Sequence, residues 1–98
     1  RVAVLTNAGG PGIMATDALI GHDMELAEMD ETTRKRLAAH LPKEASVSNP
    51  IDMIASADTG AFRACLAVLL ESPAVDLVID TLYHEQDKAF TSWKFKLV

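Results

Sequence analysis

Val2-Ala3-Val4-Leu5-Thr6-Asn7-Ala8-Gly9-Gly10-Pro11-Gly12-Ile13-Met14-Ala15-Thr16-Asp17-Ala18-Leu19 is the stretch that decides the fold. Val2 to Leu5 are all apolar and two of them are β-branched, the pattern of a short strand buried on both faces. A turn with three glycines and one proline follows, and then small and apolar residues run to Gly21 without a breaker. Pro11 suits the first helical position, where its missing N–H would be unpaired anyway. Gly21 suits the left-handed stop just past a helix end. The unit therefore reads as strand, glycine turn, helix. A helix start presents unpaired backbone N–H groups and the positive end of a dipole. Glycines there allow an anion such as a phosphate to approach the backbone. The turn has neither the spacing of the dinucleotide fingerprint nor the lysine of a P-loop, so a purely steric connection is the competing reading.

The rest of the chain bounds the answer. It has 98 residues, 49% hydrophobic and 23% charged, which is ordinary for one small globular core. The net charge is −5, which disfavours nucleic acid as a partner. No apolar run approaches the ~20 residues of a membrane span. Arg1 stands first and the strand pattern begins at Val2, with no signal-peptide pattern; the absence of an initiating Met reads as a segment of a longer polypeptide. Cys65 is the single cysteine, which fits a cytoplasmic setting.

Beyond Gly21 the pattern alternates. Met24 to Met29 reads as a second short strand. Asp30 can cap a helix in which Leu37, Ala38 and Leu41 share one face, with Pro42 ending it. Lys43 to Ser48 is a polar linker. Asn49-Pro50-Ile51-Asp52 is expected to be extended or turned, which places Asn49 and Asp52 in a loop. They serve either as turn residues bonded to nearby backbone or as polar groups at a site rim. Asp58 or Thr59 can cap a third helix, whose stripe of Phe62, Cys65, Leu66, Leu69 and Leu70 makes Cys65 a buried, inert thiol. Val75 to Asp80 reads as a strand. Strands near 2–7, 25–29 and 75–80 and helices near 11–20, 31–41 and 59–71 predict an α/β fold with a parallel sheet covered on both faces. In such sheets the working site lies at the carboxyl ends of the strands, where the turn from Ala8 to Gly12 falls. Thr81 to Val98 differs in composition. Trp93, Phe95 and Leu97 alternate with Lys94 and Lys96, as in an amphipathic strand or a divergent tail. This segment is expected to leave the sheet, either mobile or packed on a neighbouring chain.

Val4-Leu5-Thr6-Asn7-Ala8-Gly9-Gly10-Pro11-Gly12, Thr16-Asp17-Ala18 and Asn49-Pro50-Ile51-Asp52 together resemble the NDP-forming acyl-CoA synthetases, the relatives of succinyl-CoA synthetase. The resemblance covers residues 1–80, leaving 81–98 as a divergent tail. It implies a truncated, three-layer, flavodoxin-like CoA-ligase domain. In that family phosphate moves between an acyl phosphate, a histidine and a nucleoside diphosphate, and CoA exchanges the acyl group. The resemblance thus implies phosphate contact at Gly9, Gly10, Gly12 and Ile13, with Asn7, Asn49 and Asp52 at the rim. It implies CoA, ATP/ADP and Mg in the intact enzyme, none of them bound by this chain alone. It implies the CoA-binding, phosphohistidine and ATP-grasp domains as partners, and it leaves a homo-oligomer open. His22, His40 and His84 lie in no glycine-rich loop and read as structural or solvated, so no catalytic residue and no metal ligand is expected in this chain. The competing functions are a regulatory domain of a related protein acetyltransferase and a flavodoxin-like binding module.

Overall fold

The computed structural model describes residues 1–54, 57–84 and 89–92. The first strand, β1 (Val2–Thr6), is buried along its whole length. Its alternating side chains face two separate cores. Ala3 and Leu5 join Leu37, Ile51, Met53, Cys65, Leu69 and Val78, whereas Val2 and Val4 pack with Leu19 on the opposite face. Helix α1 (Gly9–Gly21) covers the second face. Helices α2 (Glu31–Ala38) and α3 (Thr59–Glu71) contribute Leu37, Cys65, Val68 and Leu69 to the first. The result is three layers, with one sheet between two helical faces. Each fully buried aliphatic side chain in these cores contributes about 1.5–3 kcal/mol.

The remaining strands are β2 (Ile51–Asp52), β3 (Leu77–His84) and β4 (Ala89–Ser92), in the order β2-β1-β3-β4. β2 and β3 run parallel to β1, with Leu5 opposite Ile51 and Val2 to Thr6 opposite Leu77 to Thr81. The α/β fold with a parallel sheet is as the alternation of elements predicts. β4 is antiparallel to β3. The strand expected to stop at Asp80 thus continues to His84, and residues 89–92 add to the domain's own sheet rather than leaving it. The alternating Trp93, Phe95 and Leu97 lie outside the described residues.

The strand expected at 25–29 is corrected. Only Leu26 bridges to Val2, through Val2 N–H to the Glu25 carbonyl (2.7 Å) and Ala27 N–H to the Val2 carbonyl (2.8 Å). The ladder stops there because the next position on β1 is taken by a side chain. Asn49 Oδ1 accepts from Val4 N–H at 2.9 Å, and its Nδ2 donates to the carbonyls of Val2 (2.7 Å) and Ala27 (3.0 Å). β2 then resumes the same edge, with Met53 N–H donating to the Thr6 carbonyl. One edge of β1 is therefore completed in turn by backbone, by an asparagine side chain and by backbone again.

The helix ends follow their caps. Asp30 accepts from Thr33 N–H and Asp58 from Ala61 N–H, each fixing a first turn. α2 is shorter than the expected 31–41, since tighter turns through His40 and Leu41 lead into Pro42. α1 begins at Gly9, so Pro11 occupies the third helical position rather than the first; its missing N–H is still harmless in the first turn. Gly21 is the last helical residue, and the left-handed conformation falls on Asp23 (φ 60°), a residue type that tolerates it.

Cys65 is fully buried, and burial pushes its thiol up to about 11. A raised thiol pKa favours the folded state below the unfolded value, and that contribution is lost as pH rises through the folded value. Iodoacetamide is expected to label the native chain at pH 8 far more slowly than the urea-unfolded chain. Equal labelling rates would contradict the packing of α3 on the sheet.

Candidate functional site

The carboxyl ends of β1 and β2 meet the start of α1 at a cleft of about 230 Å³, lined by Thr6, Gly9, Ile13, Ser46, Ser48, Asn49, Pro50 and Asp52. Thr6 shapes the turn. Its Oγ1 accepts from Ala8 N–H at 3.1 Å and lies within donor reach of the carbonyls of Ala8 (2.7 Å) and Thr81 (3.0 Å). This grip sets where α1 begins, since Ala8, its N-cap residue, offers no capping side chain. The first intrahelical bond runs from Gly12 N–H to the Ala8 carbonyl. By helical geometry Ile13 N–H is directed to Gly9, and Pro11 has no donor. The helix end therefore presents the N–H groups of Gly9 and Gly10, together with its dipole.

Four of the expected site residues come together here: Gly9, Ile13, Asn49 and Asp52 all line the cleft. Gly10 is exposed at the same helix start, and a Cβ built on it meets nothing within 4 Å. Asn7 is half-buried in the connection between β1 and α1 and is not among the cleft-lining residues. Gly12 is a correction. It is buried, and a Cβ on it would lie 2.7 Å from Thr6 Cγ2, so its role is to let α1 lie close to β1. Its N–H bonds the Ala8 carbonyl and that of Ile13 is directed to Gly9, so the open backbone donors at this helix start are those of Gly9 and Gly10. His22 and His40 are exposed and away from the cleft. No group of three or more metal-binding side chains occurs among the described residues.

The 46–52 loop closes on itself, through Ser46 N–H to the Asp52 carbonyl and Asp52 N–H to the Ser46 carbonyl, around a cis Asn49–Pro50 bond. Asp52 Oδ1 accepts from Ile54 N–H at 2.9 Å, while Oδ2 lies 3.2 Å from the position a Cβ would take on Gly9. A carboxylate thus stands beside the helix start. Ile54 follows at φ 62°, a costly conformation for a β-branched residue and one of the kind that gathers at functional sites. Thr6, Ser46 and Ser48 were missing from the sequence reading of the site. Serines on either side of Val47, just before Asn49-Pro50, are the signal that could have pointed to them.

Comparison with known proteins bears directly on this arrangement. The profile of the Ligase-CoA domain matches residues 2–90. The α subunit of acetate–CoA ligase [ADP-forming] II of Pyrococcus furiosus is 43% identical over 79 residues, 81% of this chain and 17% of that protein. Acetate–CoA ligase [ADP-forming] I of Archaeoglobus fulgidus is 38% identical over 84% of this chain and 12% of its own length. Among solved structures, a Pyrococcus horikoshii protein superposes with a TM-score of 0.81 at 41% identity, covering 84% of this chain and 19% of that one. A dinucleotide-forming acetyl-coenzyme A synthetase 1 of Candidatus Korarchaeum cryptofilum superposes at 0.77 with 29% identity, again over 84% of this chain and 18% of its own. It has also been solved in complex with phosphate and ADP. The chain spans less than a fifth of the length of these relatives. No helix among the described residues is long and apolar enough to cross a membrane. With its three-layer sheet, its glycine turn and a profile match across nearly its whole length, the chain belongs to the Ligase-CoA domain family.

Proposed function

We propose that the chain serves as the Ligase-CoA domain of a cytoplasmic, ADP-forming acyl-CoA ligase, and that the start of α1 stabilises a phosphoryl group in transit. The relatives' names support the first part: they are ADP-forming acetate–CoA ligases, and one is a 4-hydroxybutyrate–CoA ligase. The observation that carries the second part is the start of α1 itself, where Gly9 lines the cleft at the carboxyl end of β1 and Gly10 is exposed beside it. Such a helix end favours an anion by roughly 0.3–1 kcal/mol where exposed, and by more when water is excluded. Gly10 fits this use because nothing in its own chain requires the missing Cβ. The histidine that carries the phosphoryl group, the nucleotide site and the CoA site would belong to other domains, with CoA, ATP/ADP and Mg bound there. The isolated chain is then expected to show no acyl-CoA turnover.

Asp52 favours a second reading. Its carboxylate stands beside Gly9 and complements the helix dipole without any ligand. Titration with inorganic phosphate, followed by amide NMR, separates the two. In the phosphate reading the Gly9 and Gly10 amides shift, Asp52→Asn binds several-fold more tightly because a like charge is removed, and Gly10→Val abolishes the shift. Gly10→Val leaves the thermal midpoint nearly unchanged, since its Cβ enters open space and Val is no worse in a helix than Gly. Amides that do not move in the wild-type chain would leave the turn a connection satisfied by Asp52.

A further inference from the structure

Among the described residues, no lysine, arginine or histidine lines the α1 cleft, and its one ionisable residue is Asp52. Sites for oxyanions are ordinarily lined with cationic donors. Here a carboxylate stands in their place, and it is held there. Asp52 Oδ1 accepts from Ile54 N–H at 2.9 Å, and the Asp52 backbone is bonded in both directions to Ser46. Its Oδ2 lies 3.2 Å from where a Cβ on Gly9 would stand, so the missing side chain lets the carboxylate come this near the helix start. An ionised carboxylate only accepts hydrogen bonds, and a backbone N–H only donates. The cleft therefore sets an acceptor beside the donors of the first turn.

Resting on the phosphoryl reading of the α1 start, we propose that Asp52 makes this cleft selective for an oxyanion that carries its own proton, so that hydrogenphosphate is taken and sulfate is refused. Oxygens of hydrogenphosphate accept from the first-turn N–H groups, while its O–H donates to Asp52 Oδ2. Sulfate has the same tetrahedral shape but no proton at neutral pH. One of its oxygens then faces the carboxylate as a like charge with no proton between them. An ionic hydrogen bond in one case and a like-charge contact in the other separate two anions that size alone does not. A site built to receive a ligand's hydroxyl rejects the analogue lacking it more sharply than a site that differs only in size. A carboxylate that merely offsets the helix dipole would treat the two anions alike.

The test compares inorganic phosphate and sulfate at pH 8, where both are dianions and only phosphate holds a proton. The wild-type chain is titrated with each sodium salt at matched ionic strength and followed at the Gly9 and Gly10 amides by NMR. The dissociation constant for phosphate is expected to lie about tenfold or more below that for sulfate. Asp52→Asn keeps an oxygen for Ile54 N–H and removes the charge. It is expected to bring the two constants within about twofold of each other, with sulfate gaining more than phosphate. Its amide spectrum shows whether it is folded, and the wild-type ratio tests the selectivity without any variant. Equal constants in the wild-type chain would overturn the proposal and leave the anion reading of α1 standing. Selectivity that survives in a folded Asp52→Asn chain would overturn it as well, because the discrimination would then lie elsewhere. Amides that respond to neither anion would overturn both.

Discussion

Gly12→Ala is expected to lower the melting temperature of the chain by roughly 5–20 °C, the equivalent of about 1–3 kcal/mol in a domain of this size. The added Cβ would stand 2.7 Å from Thr6 Cγ2, closer than real contacts come, and 3.3 Å from Thr6 Cβ, a tight contact. Thr6 cannot turn away cheaply. It is fully buried, and its hydroxyl holds Ala8 N–H and reaches the carbonyls of Ala8 and Thr81. A new χ1 would break those bonds, so α1 must lift off β1 instead. Thr6→Ser keeps the hydroxyl and removes the clashing methyl. Alone it should cost about 1 kcal/mol for the lost buried methyl. Combined with Gly12→Ala it should recover much of the loss, leaving a favourable coupling of about 0.5–3 kcal/mol in the double-mutant cycle. Thermal unfolding of the four chains measures this. Additive effects would mean that Gly12 is not held against Thr6.

This pair also shows where sequence reading reached its limit. Three glycines between a strand and a helix mark a turn, but they do not say which way each faces. Gly10 and Gly12 are two residues apart, about 200° around a helix, so they must point to opposite sides once Gly9 starts the helix. Treating Pro11 as the first helical residue hid this, because it left Gly9 and Gly10 in the turn. β1 was legible because both of its faces are buried, and a continuous apolar run of this length has few other uses. α3 was legible from its cap and its stripe, which are local signals. The segment 25–29 was not. Its alternation suits a strand, but its ladder ends after one bridge because a side chain 22 residues further on occupies the next position on β1. Such a contact joins three separate segments, and no local pattern encodes it. The antiparallel β4 was not legible either: residues 89–92 pair with 81–84, in a stretch whose composition reads as a departure from the domain.

Asn49→Ala should destabilise the chain by roughly 2–5 kcal/mol, through the groups it leaves unpaired rather than through lost volume. The Asn49 amide replaces a stretch of β-ladder. Its oxygen receives Val4 N–H, and its nitrogen serves the carbonyls of Val2 and Ala27. Val4 is fully buried, so water cannot easily take over its N–H. Asn49→Asp separates hydrogen bonding from shape. The acceptor for Val4 N–H remains, but an oxygen now faces two carbonyl oxygens at about the donor distances of 2.7 and 3.0 Å. The ionised form is disfavoured in the folded state, so the pKa of the introduced carboxyl rises above its unfolded value near 3.9. A group with a raised folded pKa contributes stability below the unfolded value and loses it as pH rises through the folded one. The penalty of Asn49→Asp relative to wild type should therefore be full at neutral pH and shrink as pH falls toward 4. The Asn49→Ala penalty should stay level over the same range. Urea midpoints of the three chains between pH 4 and 7 measure both. Parallel pH profiles for Asn49→Asp and Asn49→Ala would show that the amide does not donate to β1 and Ala27. Asn49 would then belong to the cleft rim alone.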